Sequence, residues 1–312
     1  MKKFSIVKNA KLFFALNIIV LVIGIGSMLM RGFNLGIDFT GGSLMDLKFD
    51  KAVTVAQVRE VLADHKLGNS IIQLGSTGEQ ATSSQSVLIR TGVISDSQRV
   101  EVMNDLTAKL GSNQMLRVEN VGATVGKDLV KQAIGAVALS WVLMIIYITI
   151  RFELRFALAA IIALIIDVMV TLSYFSVLQL EIDSSFVAAL LTVVGYSING
   201  TIVIFDRIRE NLHTHRRTES MGDLVDASIW QTMNRSIYTS LTTLFAVVAI
   251  FLFGGETIHN FSFAMLVGFT SGFYTSTFLA GSLWLFLRNK MGHHHEAAPV
   301  AAGPAVPKRK RR

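Results

Sequence analysis

The sequence predicts an α-helical membrane protein with six transmembrane helices and one small α+β domain between the first and second of them. Hydrophobic residues make up 51% of the 312 residues and charged residues only 16%. About 20 helical residues cross the hydrocarbon core of a bilayer. Six mostly apolar runs approach or exceed that length: Leu12 to Met30, Gln132 to Ile150, Phe156 to Leu178, Phe186 to Phe205, Ser236 to Phe253 and Ile258 to Leu287.

The first span is predicted to be a retained helix rather than a cleaved signal. Its apolar core is about 19 residues long, which exceeds a typical signal core. No A-x-A-like cleavage site follows before "GIDF".

Basic residues cluster beside one set of span ends, and the positive-inside rule assigns that side to the cytoplasm. The opposite connections, "QLEIDSS" and "GGET", carry no lysine or arginine. Both termini are therefore predicted to be cytoplasmic. The basic residues are Lys2, Lys3, Lys8 and Lys11 before the first span, Arg151 and Arg155 after the second, Arg207, Arg209, Arg216 and Arg217 after the fourth, and Arg288 and Lys290 after the sixth.

The polar segment 31–128 is predicted to be an extracytoplasmic domain. "LMDLKFD" alternates as a strand, "TVAQVREVLADHKL" predicts a helix capped by Thr54, and "SIIQLGS" predicts a strand. The order repeats in "QSVLIRTGV", in a helix between Ser95 and Gly111, and in "MLRVENVG". This β-α-β-β-α-β order is ferredoxin-like. Because the segment lacks a glycine-rich phosphate loop, a nucleophile–base pair and a metal-ligand spacing, we expect a binding or lever domain and not an enzyme.

The other predicted regions are a cytoplasmic N-terminus with the first helix (1–30), the remaining five helices (129–290) and a disordered basic cytoplasmic tail (291–312). The tail supplies +4 of the formal net charge of +7, so overall charge predicts no specific nucleic-acid partner. The terminal "KRKRR" suits anionic lipid headgroups or ribosomal RNA, or is a solvated tail. His293 to His295 are too few to indicate a metal site, and cysteine is absent. No metal or cofactor is expected.

Asp167 lies midway along the third span, with Thr171 and Tyr174 on the same helical face. Ionisable residues at membrane depth are costly and usually face a bundle interior or a water path. Asp167 is therefore a candidate proton carrier. The alternative is a hydrogen bond between helices.

Arg235 opens the fifth span, followed on its own face by Thr239, Thr242 and Thr243. Because an arginine does not give up its proton, it would hold or release a carboxylate partner. The alternative is that its side chain extends to the lipid headgroups.

The fourth span carries a polar stripe of Thr192, Tyr196 and Asn199. Gly195 and Gly200 are expected to permit close approach of a neighbouring backbone.

Four motifs, in order along the chain, resemble the SecF family of the bacterial protein-export accessory complex. They are "FNLGIDFTGGSLMDL", "IIDVMVTLSYFSVLQLEIDSSFVAALLTVVGYSIN", "TIVIFDRIREN" and "NRSIYTSLTTLFAVVAIFLFGGETIHNFSFAMLVGF". The resemblance covers Lys11 to Lys290. It implies a subunit related to the RND transporter superfamily, in the bacterial inner membrane, that pairs with SecD beside the SecYEG channel, with YajC and YidC as associates. Such subunits use an ion-motive force to complete preprotein export, and no covalent reaction is implied.

The resemblance assigns roles to individual residues. It implies that Asp167 and Arg235 are ion-coupling residues. The cytoplasmic signature is Asp206, Arg207 and Arg209, and the first-loop signature is Gly36, Asp38, Gly41 and Gly42.

Position 200 departs from the family pattern. The family usually has Asn-Asp-Thr where this chain has Asn199, Gly200 and Thr201, and glycine cannot carry a proton. Asn199 and Thr201 remain ion-coupling candidates. Three hypotheses stay open: a SecF-type subunit of ion-driven translocation, a structural partner of SecD whose coupling is lost at Gly200, and an RND-like small-molecule exporter. The last is disfavoured because six spans and one outer domain make only half of such a transporter.

Overall fold

The structure is a computed structural model that describes residues 4–75, 83–214 and 220–291. Helices, strands and two short irregular helical segments follow one another along the chain. In order they are α1 (Ala10–Arg31), β1 (Asn34–Leu35), α2 (Ile37–Thr40), β2 (Gly42–Val53), α3 (Val55–Asp64), β3 (Ile71–Leu74), β4 (Ser84–Thr91), α4 (Asp96–Leu110), β5 (Asn113–Val121), α5 (Ala123–Arg151), α6 (Leu154–Leu178), β6 (Glu181–Ile182), α7 (Ser184–His213), α8 (Met221–Phe253), a 3₁₀ turn (Glu256–Ile258), α9 (His259–Tyr274), a π-helical segment (Thr275–Ala280) and α10 (Gly281–Lys290).

Within the described ranges, six helices are long and apolar enough to cross a membrane, and this confirms the predicted fold class. They are α1, α5, α6, α7, α8 and the continuous run of α9, the π segment and α10. Two of them begin well before the predicted start: α5 at Ala123 instead of Gln132, and α8 at Met221 instead of Ser236. Hydropathy locates the apolar part of a helix, whereas backbone hydrogen bonds continue through a polar segment that lacks a helix-breaking residue. The predicted tail (291–312) and its histidines lie outside the described residues, apart from Met291.

The domain between α1 and α5 has the predicted β-α-β-β-α-β connectivity. Its strands form one antiparallel sheet in the order β3-β4-β2-β5. Thr54 caps α3 with a full capping box, and the Ser95 hydroxyl accepts a hydrogen bond from the Gln98 backbone N–H at 3.2 Å to cap α4. Apolar side chains of the sheet and both helices form a separate core that includes Leu47, Val58, Val87 and Leu106, each at 0% exposure.

The outer domain is attached to the membrane helices through a contact that we call the outer joint, formed by Asn34, Asp38, Arg90, Glu181 and Ser184. β1 pairs in parallel with β6, so that Asn34 lies opposite Glu181. The Asp38 carboxylate accepts hydrogen bonds from the Ser184 backbone N–H, at 2.8 Å, and from the Ser184 hydroxyl. The first of these bonds satisfies one free backbone N–H in the first turn of α7. The outer joint therefore holds the domain against the loop between α6 and α7.

Arg90 provides the charged contact of the outer joint. Its guanidinium donates to the Glu181 carboxylate at 2.6 Å, to Asn34 Oδ1 at 3.2 Å and to Gln73 Oε1 at 2.8 Å. The side chains of Arg90 and Glu181 are only 4% and 14% exposed. Burial raises the pKa of Glu181, while the attraction of Arg90 opposes that rise. The ion pair therefore sits in a desolvated contact.

Two consecutive glycines begin the outer domain. Gly41 has φ +73° and Gly42 has φ +137°. A residue with a side chain would be strained in either conformation. A Cβ on Gly41 would lie 2.8 Å from Ala123 Cα, and one on Gly42 would lie 2.4 Å from the Thr91 carbonyl oxygen. The glycines thus let the start of β2 pass between α5 and β4.

Replacing Gly42 with alanine should lower the free energy of unfolding by about 1–3 kcal/mol, because the new Cβ meets backbone in a strained conformation. Gly92→Ala is the matched control, since no atom of the described residues lies within 4 Å of a Cβ there. Thermal unfolding of the purified chain in detergent measures both. Equal stability of the two variants would contradict the steric explanation.

Replacing Arg90 with alanine should destabilise the outer joint by roughly 3 kcal/mol, because Glu181 is left buried and unpaired. Arg99→Ala is the control. It removes an ion pair with Asp96, whose side chain is 84% exposed, and such pairs contribute under about 1 kcal/mol. Hydrogen exchange at Asn34 and Ile182 measures the effect. If the two variants exchange these amides at the same rate, Arg90 does not hold the joint.

Candidate ion-coupling site

α6 lies at the centre of the helix bundle and carries Asp167 in its middle. It packs against α1, α5, α7, α9 and α10. Small side chains make this contact possible, and Ala159, Ala160 and Ala163 are each at most 1% exposed. Asp167 itself is 0% exposed. The carboxyl group therefore lies in the interior of the bundle, as predicted.

Three hydroxyl groups surround the Asp167 carboxylate, and we call them the hydroxyl cage. Ser197 on α7 donates to Oδ2 at 2.5 Å, and Ser271 on α9 donates to Oδ1 at 2.6 Å. Thr275, the first residue of the π segment, lies 2.9 Å from Oδ1 and 3.0 Å from Oδ2. Thr171 donates instead to the Asp167 backbone carbonyl at 2.9 Å. The cage therefore joins three transmembrane segments through one carboxylate.

Close packing of α7 against α9 brings the cage together. A Cβ on Gly272 would lie 2.9 Å from Ser197 Cβ, and one on Gly268 would lie 2.2 Å from Val193 Cγ2. Glycine at these two positions lets α9 approach α7 closely. The predicted close approach at Gly195 is wrong, since no described atom lies within 4 Å of where its Cβ would be.

The π segment follows directly after the cage. It interrupts the regular α-helical hydrogen bonding of the sixth span from Thr275 to Ala280. Such wide turns are rare and occur frequently at functional sites. Thr275 therefore reaches the carboxylate from the point at which the helix changes geometry.

Arg235 lies apart from the hydroxyl cage. It is exposed on α8 and lines a small cavity of about 70 Å³. Within the described residues it forms no ion pair with Asp167 or with another carboxylate. The cavity is lined by Tyr196, Ser197, Asn199, Gly200, Val203, Arg235, Ser236, Thr239, Ser240, Gly272, Phe273 and Ser276.

Gly200 faces this cavity rather than the cage. Its nearest neighbour is the Ser276 side chain, whose Oγ would lie 3.2 Å from an added Cβ. Asn199 lines the same cavity and is exposed. Thr201 is fully buried, and its hydroxyl has no hydrogen-bond partner among the described residues. Of the predicted ion-coupling residues, Asp167 thus lies in the cage, Arg235 and Asn199 line the cavity, and Thr201 belongs to neither. Ser197 contacts both the cage and the cavity.

The cytoplasmic signature connects helix ends. Arg207 donates to Gln231 on α8 at 2.5 Å and to Glu210 at 2.6 Å. Arg209 donates to the Arg151 carbonyl at 3.2 Å, and Asp206 is exposed. In the first-loop signature, Gly36 starts α2, and its backbone N–H donates to the Ile182 carbonyl at 2.8 Å.

Sequence reasoning missed Ser197, Ser271 and Thr275. Serine and threonine are common in membrane helices, where most donate to their own backbone, as Thr239 does to the Arg235 carbonyl at 2.8 Å. One signal was available in the sixth span, where Ser271 and Thr275 are four residues apart and alternate with Gly268 and Gly272.

Comparison with known sequences gives two family matches. Residues 102–290 match "Protein export membrane protein SecD/SecF, C-terminal", and residues 26–53 match "SecD/SecF GG Motif". The protein translocase subunit SecF of Acidaminococcus fermentans is 81% identical, over 93% of this chain and 99% of its own length. That of Sebaldella termitidis is 40% identical, over 91% and 92%.

Solved structures show the same architecture. The crystal structure of SecDF from Thermus thermophilus, a translocon-associated membrane protein, superposes with a TM-score of 0.84 at 32% identity. The match covers 92% of this chain but only 39% of that one. SecDF in its super-membrane-facing form gives a TM-score of 0.67 at 32% identity. Because the sequence matches span almost the whole chain and the fold agrees, this chain belongs to the SecF family of protein translocase subunits.

Proposed function

We propose that the chain pairs with a SecD half and uses a proton-motive or sodium-motive force to promote preprotein export through the SecYEG channel, with YajC and YidC as associates. The observation that carries this proposal is the buried Asp167 carboxylate, held where α6, α7 and the sixth span meet. Binding or loss of a cation there changes the charge that the three hydroxyls contact. The helices would then repack around it.

The outer joint supplies a route from the ion site to the outer domain. α6 carries Asp167 and α7 carries Ser197, and the loop between these two helices holds Glu181 and Ser184. Glu181 binds Arg90 of the outer domain, and Ser184 binds Asp38 in the segment just before that domain. A shift of α6 against α7 therefore moves the domain, which we propose acts on the emerging preprotein.

An uncovered face of α8 supports the SecD pairing. Tyr238, Phe245 and Leu252 are each more than 60% exposed and are seven residues apart, so they share one face with Arg235. Burying such an apolar face in hydrocarbon or against a second subunit is energetically favourable. We propose that SecD and membrane lipid cover it, and that a SecD carboxylate pairs with Arg235.

The charges support an orientation in the membrane. We propose that the chain lies in the bacterial inner membrane with both termini in the cytoplasm. The basic residues that flank the cytoplasmic span ends, such as Arg207 and Arg288, support this orientation. The outer domain then lies on the side from which the preprotein emerges.

Asp167→Asn should abolish the stimulation of export by an ion gradient, because the amide cannot exchange a cation while the helix packing is retained. Pulse-chase maturation of a secreted preprotein, in cells whose own SecF is replaced by the variant, measures this effect with and without an ionophore. Asp50→Asn is the control, since Asp50 is exposed on β2. Normal gradient-dependent export in the Asp167 variant would refute the proposed coupling.

Gly200 favours one alternative, a structural partner of SecD without coupling, since the cavity beside Arg235 holds no carboxylate of this chain among the described residues. Gly200→Asp tests it, because Ser276 Oγ is the end of a short side chain that can rotate away. We expect wild-type export to depend on the gradient already, and the added carboxylate to leave that dependence unchanged. Gly200→Ala controls for the Cβ alone. The structural-partner hypothesis instead requires gradient-independent wild-type export that Gly200→Asp makes gradient-dependent.

A further inference from the structure

We propose that the Asp167 carboxylate and the hydroxyl cage form a binding site for one desolvated sodium ion. This rests on the proposed function and names the ion that its site takes. The ligands would be the two oxygens of Asp167 and the hydroxyl oxygens of Ser197, Ser271 and Thr275.

The first reason is charge. Asp167 is 0% exposed, and its three side-chain partners are all neutral. No lysine, arginine or histidine in the described parts of the chain forms an ion pair with it. A lone carboxylate charge in a low-dielectric interior is strongly unfavourable. A proton or a bound cation must therefore neutralise it in at least one state of the transport cycle.

The second reason is the donor set. Five oxygens converge here, and oxygen ligands are those that hard cations prefer. One formal negative charge matches a monovalent ion, because a divalent ion would leave a net positive charge buried. The hydroxyl oxygens lie at hydrogen-bond distances of 2.5–3.0 Å from the carboxylate oxygens, so the hydroxyls must turn and separate to admit an ion. Because a smaller ion requires less separation, a site that opens from this arrangement favours sodium over the larger potassium ion.

The hydroxyl protons have other acceptors when the lone pairs turn toward a cation. Thr275 Oγ1 already lies 3.3 Å from the Gly272 carbonyl. A helical serine can donate to the carbonyl four residues earlier, which serves Ser197 and Ser271. Binding a cation therefore leaves each hydroxyl proton with a hydrogen-bond acceptor. Interrupted membrane helices are also where transporters coordinate sodium, and the π segment begins at Thr275.

The cage lies between two cavities. Ser197 lines the small cavity beside Arg235, and Ser271 lines a larger one of about 490 Å³ between α1, α6 and α9. Asn17 lines the larger cavity and is 7% exposed, and its Oδ1 has no hydrogen-bond partner among the described residues. Because apolar side chains make up most of the lining of the larger cavity, the small polar cavity at Ser197 is the approach for an ion, after a local movement of that hydroxyl.

Binding of radioactive sodium to the full chain, co-purified with its SecD half at mildly alkaline pH, tests the proposal. We expect saturable binding that choline and potassium do not displace. Asp167→Asn should abolish it, and Ser271→Ala or Thr275→Val should weaken it about tenfold. Thr275→Ser should restore it. Acidification should weaken it, because protons compete for the same oxygens.

Ser262→Ala is the matched control for Ser271→Ala. Ser262 is a buried serine of the same helix, but its hydroxyl donates to the carbonyls of Ile258 and His259. We expect it to bind sodium like the wild type. Absence of sodium binding in the wild type, or equal binding by the two serine variants, overturns the sodium site.

The two proposals fail in different ways. If sodium does not bind but gradient-dependent export still requires Asp167, the sodium site is wrong and the coupling function stands with the proton as its ion. If sodium binds through the cage but export is indifferent to Asp167→Asn, the sodium site stands and the coupling function is wrong.

Discussion

The packing of the membrane helices depends on a buried carboxylate that has no cationic partner in the described parts of the chain. Asp167 can remain in the bundle because Ser197, Ser271 and Thr275 donate to it from two other transmembrane segments. Those segments must lie close together, and glycines at 268 and 272 permit it. The packing of α6, α7 and the sixth span is thus inseparable from the charge state of one side chain.

The same two helices explain how the outer domain could respond. α6 and α7 meet at their outer ends in the loop with Glu181, where Arg90 and Asp38 hold the domain. The ion pair there is desolvated, so a broken contact would be costly and the domain should move with the loop. In the proposed function, the outer joint would link a change of charge at Asp167 to a movement of the outer domain through the two helices.

The features that depend on short stretches of sequence were predictable. The caps at Thr54 and Ser95, the strand order that follows from β-α-β-β-α-β, the six spans and the interior Asp167 all follow from periodicity, cap residues or the cost of charge in lipid. The length of α8 was underestimated, because hydropathy declines at Ser236 while the helix continues back to Met221, where Ser220 caps it. Gly195 was misjudged for a different reason, since glycine shows only that close approach is possible and not which neighbour uses it.

The membrane class, the outer domain and the family could all be inferred from the sequence, because they depend on local patterns and on motifs that stand in order along the chain. Three features came only from the fold: which hydroxyls meet Asp167, the cavity shared by Arg235 and Gly200, and the pairing of Arg90 with Glu181. The residues of each contact are 30 to 108 positions apart in the cage, and Arg90 and Glu181 are 91 positions apart. No local pattern encodes such a pairing, because it arises only when helices pack and bring one particular face of each against the next.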